Sequence, residues 1–318
     1  MIDKLNYYGK NKIPVIFIID FEIKKPIIIP INNIDKEEIL FSINNLSNYS
    51  SPGRLNKTVY FKKKPIDFKR YEKAFSYVQE ELLKGNSFLV NLTFPTLIDT
   101  NLTLKEIFYY SNAKYKLLYK KKFVCFSPEI FVKIEGNIIS TYPMKGTIDA
   151  SVPDAEKIIL QDEKEFAEHI TVVDLLRNDL GIVSKSVNVE KFRYIDKLVT
   201  NEKNLLQVSS KITGELDCGW YNKLGSIIFS LLPAGSITGA PKKKTVEIIK
   251  KAEGYKRGYY TGIFGYFDGN NLDSCVMIRF IENIDNRLFF KSGGGITIYS
   301  DPQKEYQELA DKVYVPIG

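Results

Sequence analysis

Two segments of the chain each carry a pair of glutamates three residues apart: Glu165 with Glu168, and Glu305 with Glu308. If both segments are helical, that spacing is close to one turn, so each pair shares a face. On a wheel of about 100° per residue, Glu165, Glu168 and His169 fall in the arc holding Phe166, Ile170, Val172, Val173, Leu175 and Leu176. The opposite arc holds Lys164, Ala167, Thr171, Asp174 and Asn178. Inward carboxylates cost on the order of several kcal/mol unless a cation or a hydrogen-bond donor meets them. Two such pairs facing each other would make a cluster of four carboxylates, the hard-oxygen setting that Mg²⁺ takes. Local roles compete for two of the four. Asp162 followed by Glu165 resembles a capping box, and Glu305 suits the first turn of a helix dipole. Neither accounts for Glu168.

Lys145 is an odd residue for a strand-end turn, in Thr141-Tyr142-Pro143-Met144-Lys145-Gly146-Thr147. A lysine shielded from water loses charge stabilisation, and its amine can then act as a nucleophile. A surface lysine is the commoner case for this segment alone. Glu129, in Ser127-Pro128-Glu129, is placed as a hairpin partner of Lys145, and a carboxylic acid there could protonate a leaving hydroxyl. A solvated turn is the simpler reading. The segment Gly235-Ser236-Ile237-Thr238-Gly239-Ala240-Pro241-Lys242 leads into a helix expected to begin at Pro241. Helix N-termini bind anions through free N–H groups, and Thr238 and Lys242 add a hydroxyl and a charge. The order is not that of a nucleotide-binding loop. Gly293-Gly294-Gly295 could form an anion nest, or merely a bulge or turn before the last helix. Tyr266 and Arg279 lie on strands of one hairpin system, where the Arg279 fork suits a planar dianion.

These groups need a scaffold. Apolar runs predict strands within 13–30, 88–94, 116–119, 123–127, 130–135, 138–142, 186–195 and 205–213, and a last hairpin system over 258–267, 274–281 and 288–292. Helical spacing covers 67–84, 104–110, 162–178, 222–232, 241–252 and a stretch from Pro302. Asn44–Lys57 reads as a loop. Hairpins outnumber βαβ units, which favours an α+β class with largely antiparallel sheets.

Composition narrows the class. The 318 residues are 44% hydrophobic and 26% charged, a globular profile. The apolar run Ile13–Ile19 is too short to span a membrane and lacks a cleavage site, so a cytoplasmic location with no membrane association is expected. Cys125, Cys218 and Cys275 show no paired or zinc-type spacing. The net charge of +7 suits an anionic small substrate. A basic nucleic-acid-binding protein is the alternative from another class, but no zinc finger, aromatic RNA motif or basic arm accompanies the lysines, so no nucleic-acid partner is expected.

Taken together, PMKGT (143–147), EFAEHITVVDLLRNDLG (165–181), GSITGAPKKKTVEII (235–249), GIFGYFDG (262–269), SCVMIRF (274–280) and SGGGITIYSDPQKEYQE (292–308) resemble the chorismate-utilising enzymes. That family includes anthranilate, aminodeoxychorismate, isochorismate and salicylate synthases, and the resemblance covers roughly residues 60 to 318. It implies a two-lobed sandwich of sheets with helices packed outside and one catalytic domain over 1–318, of which about 1–60 is a smaller, divergent portion. It implies Mg²⁺ at Glu165, Glu168, Glu305 and Glu308, with Glu168 and Glu308 as inner ligands. Chorismate contacts are implied at Gly146, Thr147, Thr238, Lys242, Tyr266, Arg279 and Gly294. Lys145 matches PIKGT of the aminodeoxychorismate synthases, where anthranilate synthases resemble PIAGT. The implied chemistry is attack of Lys145 on C2, protonation of the departing C4 hydroxyl by Glu129, and addition of ammonia at C4 with expulsion of Lys145. A partner glutamine amidotransferase is implied as the ammonia source. Anthranilate or isochorismate synthesis is the nearest alternative, and a catalytically dead scaffold another. One departure stands out: many relatives carry a histidine shortly before the GSITGAP stretch, where this chain has Cys218-Gly219-Trp220-Tyr221.

Overall fold

A computed structural model describes residues 1–44, 46–50, 52–199 and 204–316. The strands are β1 Val15–Ile19, β2 Ile27–Pro30, β3 Ile39–Ile43, β4 Leu46–Ser47, β5 Phe61–Lys64, β6 Leu89–Thr100, β7 Tyr115–Tyr119, β8 Phe123–Ser127, β9 Ile130–Glu135, β10 Ile138–Thr141, β11 Met144–Asp149, β12 Lys185–Val199, β13 Asn204–Glu215, β14 Gly239–Ala240, β15 Ile263–Phe267, β16 Leu272–Val276, β17 Phe280–Ile284 and β18 Arg287–Ile296. The helices are α1 Ile2–Lys10, α2 Phe68–Leu83, α3 Leu104–Tyr110, α4 Ala155–Gln161, α5 Glu163–Val183, α6 Leu224–Ser230, α7 Lys242–Glu253 and α8 Pro302–Asp311. One sheet runs β11-β13-β10-β9-β16-β15-β1-β2, with β12 beside β13. The other runs β14-β6-β18-β17-β8-β7-β3-β4, with β5 beside β6, and every pair in it is antiparallel. The expected α+β class with largely antiparallel sheets is the observed one.

The fold resolves into two compact units. The first joins Met1–Ile16, Glu129–Ser236 and Gly265–Ser274; the second joins Phe17–Pro128, Ile237–Phe264 and Cys275–Gly318. Each unit interleaves three stretches, so no linker marks a boundary along the chain.

In the first unit α5 lies on β11, β12 and β13. Helix α1 has no counterpart among the expected elements. It is short, and its buried residues are only Leu5 and Gly9. It earns its place through Asn6, whose Oδ1 accepts from the N–H groups of Gly225 (2.8 Å) and Ser226 (3.2 Å). These are orphan donors at the start of α6, and a side-chain oxygen satisfies them as a cap does.

In the second unit α2 begins at Asp67, whose side chain caps Lys69 N–H, and stops ahead of Gly85 at φ +72°. Tyr71, Ala74, Phe75, Val78 and Leu82 recur at helical spacing and are buried. They pack with Ile248 and Ile249 of α7 and with Val90, Leu92 and Phe94 of β6. A second cluster gathers Ile107 and Phe108 of α3 with Leu118, Val124, Phe126, Ile281 and Phe290 of the sheet. These cores pack on β6 and β18, which α8 also contacts.

Several expectations need correction. Helix α5 runs beyond the expected end at residue 178, through Gly181 to Val183. Phe166 and Ile170, placed in the inward arc, are 40% and 41% exposed. The predicted strand 274–281 is two strands, β16 and β17, and Arg279 lies between them with φ +51°. The three glycines are neither nest nor turn. They continue β18, with Gly293, Gly294 and Gly295 opposite Thr93, Leu92 and Asn91 of β6. Pro241 caps α7 from outside, and Lys242 is its first residue.

Candidate active site

The strand β11 explains why a lysine stands in this turn. Met144 pairs with Ser209 and Thr147 with Gln207 of β13. Two residues, Lys145 and Gly146, therefore oppose the single residue between, which is a β-bulge. Bulges re-aim side chains, and this one directs Lys145 onto α5, where Nζ donates to Glu168 Oε2 at 2.7 Å. The bulge requires glycine at its second position. Gly146 has φ +83°, and a Cβ there would lie 3.2 Å from Glu165 Oε2. Both carboxylates of the first pair thus reach the bulge. Glu168 is only 10% exposed and its ammonium partner 26%, so the pair forms a charge-assisted bond largely shielded from water. Asp162 also caps Glu165 N–H at 2.8 Å, so the capping role and the inward side chain coexist. Thr147 follows on the exposed side of the bulge.

Glu129 is not a hairpin partner of Lys145. It precedes β9, whose partner is β10, while β11 pairs with β13. Its Oε1 instead accepts from Ser236 Oγ at 2.5 Å. Ser236 carried no signal beyond its place in a glycine-rich stretch.

His169 is fully buried beside Glu168, with Nε2 2.7 Å from Ser210 Oγ. Ser210 also donates its backbone N–H to Pro143 O, two residues before Lys145, at 2.9 Å. The imidazole is pushed down to about 4, first by burial and then by the charges of Arg193 and Lys145. An unfolded histidine takes its proton near pH 6.5. Between those values the unfolded chain binds the proton and the folded chain does not. Stability is therefore complete above about pH 6.5 and falls as the pH drops towards 4. Urea denaturation should show wild type losing on the order of 2 kcal/mol between pH 6.5 and pH 5, with His169→Asn losing clearly less. An equal loss in both would remove His169 as the cause.

The second glutamate pair sits in the second unit, on α8. Asp301 caps this helix through the N–H groups of Gln303 and Lys304. Glu305 is buried, and its Oε1 accepts from Ser300 Oγ at 2.9 Å. Glu308 Oε1 meets Lys312 Nζ at 2.5 Å, and that ammonium also donates to Gly293 O at 2.9 Å. A Cβ on Gly294 would lie 3.3 Å from Glu305 Oε2 and 3.6 Å from Glu308 Oε1. Both carboxylates therefore converge over the middle glycine, where any side chain would intrude. Lys312 was missed, although its position four residues after Glu308 is a readable ion-pair spacing. Tyr71 of α2 is raised well above the usual phenol range, by burial first and then by Glu305 and Glu308.

The other expected contacts lie on fixed backbone. Thr238 is fully buried, and its carbonyl accepts from Asn91 N–H at 2.8 Å. Lys242 opens α7. Arg279 donates from Nη1 to Lys312 O at 2.8 Å and stacks over Tyr314, 4.8 Å from the ring centroid. Tyr266 is half-buried on β15, and its phenol is raised by burial and then by Asp268. Among the described residues no group of three or more His, Cys, Asp or Glu side chains gathers as a metal site within reach. Each pair nonetheless offers only carboxylate oxygens, the donors Mg²⁺ takes. One member of each pair already attracts a cation, a lysine ammonium.

The chain belongs to the chorismate-binding enzymes: the family model described as chorismate binding enzyme matches residues 30–318. It is a chorismate-utilising enzyme. Among its relatives, the "Uncharacterized PabA-like protein" of Haemophilus influenzae is 54% identical over 99% of this chain and 96% of its own length. Aminodeoxychorismate synthase component 1 of Bacillus subtilis is 34% identical over 77% of this chain, which spans 54% of that protein. The menaquinone-specific isochorismate synthase MenF of Escherichia coli shares the fold, with TM-score 0.74 over 97% of this chain and 79% of its own, at 16% identity. Among the described residues no helix is long and apolar enough to cross a membrane.

Proposed function

We propose that this chain forms 4-amino-4-deoxychorismate from chorismate and ammonia, with a partner glutamine amidotransferase as the ammonia source and 4-aminobenzoate and folate as the downstream use. The observation that carries the reading is Lys145, set by the Gly146 bulge and bonded to Glu168 at 2.7 Å. A nucleophile splits one difficult substitution into two easier ones. The Lys145 amine attacks C2 as both ring double bonds shift, C1=C2 to C1=C6 and C5=C6 to C4=C5, and the C4 hydroxyl leaves as water, protonated by Glu129. Ammonia then adds at C4 and gives up a proton, both double bonds return to their places, and the Lys145 amine leaves C2. Before the attack the ammonium must shed a proton, and Glu168 is an acceptor already in contact.

Gly146, Thr147, Thr238, Lys242, Tyr266, Arg279 and Gly294 are proposed to contact chorismate. Glu165, Glu168, Glu305 and Glu308 are the proposed Mg²⁺ ligands, and the ion would neutralise the ring carboxylate. The carboxylate donor set and the attraction of Glu168 and Glu308 for ammonium groups support that assignment.

The test is product identity. Purified protein with chorismate, Mg²⁺ and ammonium chloride should yield 4-amino-4-deoxychorismate by liquid chromatography and mass spectrometry. Anthranilate or isochorismate as the sole product would overturn the reading in favour of a different chorismate enzyme.

A further inference from the structure

We propose that Arg257, paired with Glu253, is the positioning residue that holds the Thr238 segment on β6 so that it can receive an anionic substrate. The proposal rests on the reading above, in which Thr238 and Gly294 face chorismate.

Arg257 and Glu253 are 1% and 2% exposed. They lie one turn apart, at the end of α7 and just beyond it, and form a two-pronged pair. Nε donates to Glu253 Oε2 at 3.0 Å and Nη2 to Oε1 at 2.6 Å. A buried pair serving packing alone could be replaced by apolar groups of similar volume. The remaining bonds of Arg257 argue for more. Nη1 donates to Ile237 O at 2.9 Å, and Nη2 to Asn91 O at 2.7 Å. Nη1 also reaches Thr261 Oγ1 at 3.3 Å.

The two carbonyls belong to different pieces of chain. Ile237 directly precedes Thr238. Asn91 is the β6 residue whose N–H donates to Thr238 O at 2.8 Å, and it stands opposite Gly295 in β18, one residue from the Leu92–Gly294 pair. Glu253 completes the clamp. Its Oε1 accepts from both the N–H and the Oγ of Thr93, at 2.9 and 2.8 Å. One guanidinium thus fixes the Thr238 segment against the strand that also carries the pairing of Gly294. The fork of Arg holds several donors in one rigid plane. A lysine keeps the charge but has one nitrogen, and it cannot span Glu253, Ile237 O and Asn91 O together.

Arg257→Lys should raise KM for chorismate by about tenfold or more while kcat stays within about threefold, the mark of lost binding geometry. Hydrogen–deuterium exchange should quicken by about tenfold over residues 235–242 and 89–95, with β12 and β13 unchanged. In Arg257→Ala, added guanidinium should restore part of the loss in KM. A lowered melting temperature with unchanged KM and unchanged exchange over 235–242 would reduce the pair to a purely stabilising role and overturn the proposal. If Arg257→Lys fails to fold, Glu253→Gln carries the same two readouts. If wild type does not consume chorismate, the functional reading fails on its own, and the exchange measurement still decides whether Arg257 holds this segment.

Discussion

Lys145→Ala is expected to lower the formation of 4-amino-4-deoxychorismate from chorismate and ammonium by about a thousandfold or more, since removing the proposed covalent nucleophile would remove the whole two-step route. The expectation follows from the bulge in β11. That bulge spends one extra residue, and a glycine with φ +83°, to bring Nζ to Glu168. A lysine serving solubility would need neither. The substitution leaves Glu168, 10% exposed, without its ammonium. Circular dichroism and a thermal melt must therefore accompany the assay, because a shielded carboxylate that loses its cation weakens the fold. Lys145→Arg separates the two effects, since it keeps a cation near Glu168 and removes the nucleophile. If both variants turn over chorismate as wild type does, the covalent route is wrong. Activity recovered only at high ammonium would point to direct amination.

Glu308→Gln should raise the Mg²⁺ concentration for half-maximal turnover by more than about tenfold and lower kcat/KM by about a hundredfold, because the proposed Mg²⁺ site would lose an anionic oxygen. Its effect on stability should be small. Glu308 is 51% exposed, and its bond to Lys312 is an i,i+4 pair at the surface, worth about 0–1 kcal/mol. That makes Glu308 a cleaner probe than Glu168, whose loss also disturbs Lys145. The measurement is a Mg²⁺ titration of initial rate, with a calorimetric titration of Mg²⁺ alone. An unchanged Mg²⁺ dependence would remove Glu308 from the ligand set.

Much of the fold is legible in local pattern. Leu104–Tyr110, Phe123–Ser127 and Ile130–Glu135 coincide with observed elements to the residue, because each has turn or capping residues at both ends. Thr103 and Glu106 form a full capping box for the first of these. What stays hidden depends on partners far along the chain. The Lys145 bulge exists only relative to β13, and nothing in PMKGT states a register. The strand through Gly293–Gly295 defeats local propensity because its pairing with β6 comes from tertiary structure. A Cβ on Gly293 would lie 2.3 Å from Leu92 O, so the glycines serve close packing within a strand. The pairing of Glu165 with Glu168 and of Glu305 with Glu308 was readable from spacing alone. Their convergence on Gly146 and Gly294 was not, since a glycine contributes no side-chain pattern. Arg257 carries no pattern of its own, because an arginine just past the end of a helix looks like a surface charge.

The three-stretch weave of each unit bears on how the protein is made. The first sixteen residues leave the ribosome long before Glu129–Ser236, the stretch they must join, and the first unit also needs Gly265–Ser274. Neither unit can close while the chain is still half synthesised, and contacts so distant along the chain slow the search for the native state. A nascent chain must therefore keep apolar runs such as Val15–Ile19, fully buried in the finished protein, from meeting the wrong partners until synthesis is nearly done. A break at a surface loop between Phe17 and Ser274 would leave both units incomplete, so halves severed there should regain structure only when mixed, not apart.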